Sequence, residues 1–76
     1  MVTAQQFKNM ANALWGAYKS TQSIECIRRL VGIGYETLRR GDLFNQLRDL
    51  STADKQKFQA ALVLIKSMVQ LLRDRL

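Results

Sequence analysis

One thiol, Cys26, and six scattered carboxylates are the reactive side chains this sequence offers besides its lysines, because it contains no histidine. Without an imidazole, a general base near neutral pH must be a strongly perturbed carboxylate, lysine or thiol. Cys26 has no sequence neighbour to serve as its base or to orient it, and fits an inert, packed thiol. The spacing of four between Glu25 and Arg29, and between Glu36 and Arg40, marks pairs on a helix surface rather than an acid–base couple. A single thiol among dispersed acids is no metal-ligand set. Gly32-x-Gly34 lacks both the further glycine and the preceding strand that a phosphate loop requires. The chain therefore reads as non-enzymatic, with no cofactor and no metal.

Charge offers more. Twelve Lys and Arg against six acids leave +6. Residues 1–50 hold seven basic and four acidic groups and residues 51–76 five and two, so each part is +3 and neither is a detached basic tail. Such a surface attracts polyanions or an acidic protein face, unless it serves only solubility.

The arginines fall in a pattern. Residues 24–41, IECIRRLVGIGYETLRRG, resemble part of a helix-turn-helix. Apolar Ile27 and Val31 precede Gly32 at the turn, and Ile33 and Leu38 would pin the second helix against the first. The resemblance implies a recognition helix in the DNA major groove carrying Tyr35, Thr37, Arg39 and Arg40. Arg28, Arg29 and Lys19 would add phosphate contacts. Arg28 stands where the motif has a small residue, and Gly41 where it has an apolar one.

The competing reading is a regulator that binds another protein, of the inhibitor or anti-activator type. Aromatic side chains and arginine dominate protein-binding hot spots. The candidates are Trp15, Tyr18, Tyr35 and Phe44, with an acidic protein surface as the partner. Net charge and the motif-like segment place DNA-binding regulation slightly ahead.

These residues must be carried on helices, since proline is absent and glycine sparse. Thr3 and Gln6 form a capping-box pattern opening a helix over 4–19, with Phe7, Met10, Ala11, Leu14 and Tyr18 on its apolar face. Ser20, Thr21 or Ser23 caps a second helix over 22–31, which buries Ile24, Ile27, Leu30 and Val31. Two glycines inside a helix would cost about 1 kcal/mol each relative to alanine. A break at 32–34 is therefore predicted, with a further helix over 34–40. The alternative is one helix from about 22 to 40, in which Gly34 admits a close neighbour. Gly41 reads as a helix stop and Asp42 as the cap of a short helix over 43–50. Ser51 with Asp54 opens the last helix, over 52–75.

That last helix is apolar over an unusually wide arc. Phe58, Leu62, Ile65, Val69, Leu72 and Leu76 recur at steps of four and three, and Ala61, Leu64, Met68 and Leu71 run beside them. A chain of 76 residues folds marginally alone, so the seam is predicted to pair two copies. The expected fold class is all-α: one domain, a small bundle of three to four helices with a long C-terminal helix, forming a homodimer. The longest apolar run, Ala60 to Ile65, is far short of the ~20 residues of a membrane span. No basic-then-apolar leader opens the sequence. A soluble protein is expected, and the lone thiol suits a reducing cytoplasm.

Overall fold

The computed structural model describes residues 2–21 and 23–76. Met1 and Gln22, the latter the expected first residue of the second helix, lie outside them. The elements are α1 (Ala4–Lys19), α2 (Ile24–Arg40), α3 (Leu43–Gln46), a 3₁₀ turn (Leu47–Asp49) and α4 (Thr52–Arg75), with no strand among the described residues. Among the described residues, no helix is long and apolar enough to cross a membrane.

Local chemistry sets the starts of the three long helices. The Gln6 N–H donates to Thr3 Oγ1 at 3.0 Å, and the Thr3 N–H donates to Gln6 Oε1 at 2.9 Å, completing the capping box. Ser23 Oγ accepts from the Cys26 N–H at 3.3 Å to begin α2, and Ser51 Oγ accepts from the Asp54 N–H at 3.1 Å to begin α4. Each cap satisfies a backbone donor that the first helical turn leaves without a partner.

The predicted break at 32–34 is not there: α2 is a single helix of 17 residues. Its buried positions, Ile27, Leu30, Val31, Gly34 and Leu38, keep one helical register straight through both glycines. Burying a leucine or isoleucine side chain gains about 1.5–3 kcal/mol. The register thus outweighs the helix-propensity cost of the glycines, about 1 kcal/mol each. Neither glycine uses positive φ. Gly34 instead admits Ile65: a Cβ built there would stand 3.1 Å from Ile65 Cδ1.

The connection after α2 also departs from expectation. Gly41 ends the helix at φ −74°, and the left-handed residue is Asp42, at φ 56°. Aspartate is among the few non-glycine residues that tolerate this region. Asp42 precedes α3 but makes no side-chain capping bond; its carboxylate accepts from the Asn45 side-chain amide. Gly41 is required by packing, since a Cβ there would lie 2.8 Å from Val2 Cβ. The expected helix over 43–50 is one α-helical turn followed by the 3₁₀ turn.

Aromatic contacts fix the directions of the helices. Near their starts, the Phe7 ring of α1 meets Phe58 of α4, with centroids 5.6 Å apart. Near their ends, the Arg75 guanidinium lies 5.8 Å from the centroid of Tyr18. α1 and α4 are therefore parallel. α2 returns antiparallel, bringing Gly41 back to Val2.

This arrangement covers α4 from two sides. Phe58, Ala61, Ile65 and Met68 are buried with Phe7, Ala11, Leu14, Ile27, Leu30, Val31, Leu38 and Leu43 in one core. Leu62, Leu64, Val69 and Leu72 pack half-buried against it, while Leu76 is 73% exposed. Of the seam expected to join two copies, Phe58 and Ile65 are thus buried within one chain, while Leu62, Val69 and Leu72 are partly and Leu76 largely open. Within one chain, α1 and α2 approach the wide apolar arc of α4 from different directions.

Candidate binding face on the second helix

With α2 continuous, the positions left outside its buried stripe are Glu25, Arg28, Arg29, Gly32, Ile33, Tyr35, Arg39 and Arg40, with Glu36 half-buried. Arg28, Tyr35 and Arg39, at steps of seven and four, form one edge of this face. Arg29, Ile33 and Arg40, at steps of four and seven, form the other. Gly32 and Glu36 lie between the edges. Each edge thus has an apolar or aromatic side chain between two arginines about 16 Å apart along the axis.

The Ile33 edge overlooks an open groove of about 760 Å³, walled on its far side by Val2 and lined also by Arg29, Gly32, Glu36, Thr37 and Arg40. Its lining is mostly apolar, and Ile33 is 49% exposed. Among the described residues, a Cβ built at Gly32 meets nothing within 4 Å.

One carboxylate organises the arginines at the C-terminal end of this face. Arg39 donates to both oxygens of Glu36, from Nη2 at 2.7 Å and from Nε at 3.3 Å, and Arg40 pairs with the same group. These bonds, the one from Arg39 foremost, hold the Glu36 carboxyl below its ordinary pKa despite some opposing desolvation. Two cations sharing one anion leave a net +1 at this end. Glu25 and Arg29, expected to pair, make no ion pair among the described residues, and neither do Arg28 and Arg29 with any other acid.

The structure therefore brings Arg28, Arg29, Tyr35, Arg39 and Arg40 to one exposed helix face, without the turn that would set a recognition helix apart. Thr37 is half-buried on the groove side. Lys19 ends α1 at the opposite end of α2 from Arg39 and Arg40, and does not join them. Ile33, expected to pin two helices together, pins nothing, whereas Leu38 is buried as expected. Val2, Gly32, Ile33 and Glu36 were missed as site residues. Extending the 27–30–31–34–38 stripe through the glycines would have placed Ile33 outside it.

The four aromatic candidates do not form one surface. Trp15 and Tyr18 stack 5.3 Å apart, half-buried beside Arg75. Tyr35 is on α2. Phe44 is 59% exposed and rests edge-on against Phe58, with centroids 5.7 Å apart. It borders a second, more polar depression that includes Leu47, Arg48 and Lys55. Cys26 is half-buried against the core.

Compared with known proteins, the chain matches no family model, no curated protein and no solved structure.

Proposed function

We propose that this is a small, non-enzymatic regulator that works by binding another protein in the cytoplasm through the outer face of α2. The observation that carries this reading is the pair of arginine-flanked edges, each centred on an exposed apolar or aromatic side chain, with an apolar groove beside one of them. Apolar contact with Ile33 and Tyr35 supplies affinity, and the arginines select an acidic partner face and speed encounter. Occupying that face on the partner is how such a module inhibits or diverts it.

DNA binding is the second reading, supported by the +6 charge and by four arginines on one helix face. It has less to draw on than the resemblance implied. A phosphate backbone laid on this face would gain nothing from the apolar groove. Pairing of two copies along α4 would draw on the exposed Val63 and Leu76 and on the half-buried Leu62, Leu64, Val69, Leu71 and Leu72.

Affinity capture from cell extract, with and without nuclease and followed by mass spectrometry, tests the choice. A discrete protein partner that survives nuclease and is lost with Ile33→Glu or Tyr35→Ala is expected. Loss of the captured material on nuclease treatment alone rejects this reading.

A further inference from the structure

Resting on the protein-binding reading, we infer that the groove between Ile33 and Val2 receives an acidic amphipathic helix of the partner, packed backbone-close over Gly32. Three observations converge on this occupant. Gly32 sits in the interior of a 17-residue helix, where glycine weakens the helix, yet a Cβ there would meet no other element within 4 Å among the described residues. Its counterpart Gly34 is explained by Ile65; Gly32, like Gly16 in α1, has no such contact, and what sets it apart is its place in the lining of the apolar groove. What the missing side chain provides is access from outside, allowing a second helix to approach at the short end of the usual interaxial range.

The wall chemistry identifies the approaching face. Ile33 and Val2 offer apolar contact for one stripe of a helix, and Thr37 also lines the groove. Arg29 and Arg40 stand at the two ends, about 16 Å apart. An amphipathic helix with carboxylates three turns apart on the rim of its apolar stripe satisfies both arginines at once. Arg40 is already turned toward Glu36, so an incoming carboxylate at that end would take over part of a hydrogen-bonding pattern the guanidinium now makes within the chain.

The test uses the full chain as bait for a displayed library of random peptides of about 16 residues, long enough as helices to run past both arginines. The enriched peptides, and separately a duplex DNA, are then titrated into isotopically labelled protein. Enriched peptides are expected to carry acidic residues flanking a helical apolar stripe and to shift the amides of Arg29, Gly32, Ile33 and Thr37. Gly32→Leu, whose Cβ meets nothing within 4 Å among the described residues and whose folding is checked by circular dichroism, is expected to weaken them about tenfold or more. Arg29→Ala should reduce the salt dependence of binding. Enriched peptides that lack acids, that ignore Gly32→Leu, or that bind the Trp15–Tyr18 cluster would overturn this inference while leaving the protein-binding reading intact. No enrichment, with DNA shifting the α2 amides instead, would overturn both; no enrichment and no DNA shift would still overturn this docking inference.

Discussion

Gly34 and Ile65 meet so closely that a single added methyl group on Gly34 would stand 3.1 Å from the Ile65 side chain. The same helix carries Gly32 two residues earlier, facing open space. These two glycines separate the side of α2 that packs on its own core from the side left exposed.

Gly32→Ala should therefore stabilise the protein by about 0.5–1 kcal/mol, through helix propensity and reduced freedom of the unfolded chain. Gly34→Val should destabilise it by about 1–3 kcal/mol, because Ile65 must be displaced within a packed core. Urea denaturation at constant m-value reads both effects. A helix broken at 32–34 would instead make Gly32→Ala destabilising.

Arg39→Ala removes the largest influence holding the Glu36 carboxyl low, so that carboxyl should titrate closer to the ordinary glutamate range in the variant. The check is a pH titration of the Glu36 side-chain resonance in both proteins. The folded-state pKa is depressed, so the cluster's contribution is in place above the ordinary glutamate range and is lost as the pH falls through the lowered value. Identical titration curves would show that the fork from Arg39 does not persist in solution.

Phe58 and Phe44 share an aromatic contact but differ in burial, and their truncations should differ accordingly. Phe58→Ala opens a cavity against Phe7 and should cost about 3–5 kcal/mol, enough to abolish the cooperative transition of a domain this small. Phe44→Ala should cost about 1 kcal/mol or less, most of its ring being exposed. Thermal melts by circular dichroism distinguish the two outcomes.

Because α1 and α2 cover the seam of α4, the protein should sediment and elute as a single chain of 8.7 kDa. Light scattering coupled to size exclusion over a range of loading concentrations measures this. A stable mass of twice that value would mean that Leu62, Val69 and Leu72 pair between copies after all.

The features legible in the sequence were those settled within a few residues. Thr3 with Gln6, and Ser51 with Asp54, announce helix starts because a cap reaches only three positions along the chain. The Phe7–Ala11–Leu14 stripe follows from helical periodicity alone. What misled was information held elsewhere in the fold. Gly32 and Gly34 look alike as a turn signal, and only Ile65, 31 positions later, makes the second a packing residue. No local signal in the α4 stripe says that α1 lies parallel to it and α2 antiparallel. Asp42 has the chemistry of a cap, yet it serves as the left-handed residue of the connection because Gly41 is held against Val2. The binding face depended on the same uncertainty: with a break at 32–34, Ile33 belongs to a core, and with a continuous helix it belongs to the surface.

A photo-crosslinking apolar residue placed at Ile33, compared with the same residue at the similarly exposed Val63 of α4, reads the binding face directly. Crosslinks from position 33 to one protein partner, with none from position 63, are the expected result. Crosslinks to nucleic acid from position 33, or to a protein from position 63 alone, would contradict the assignment of α2's outer face as the surface that binds.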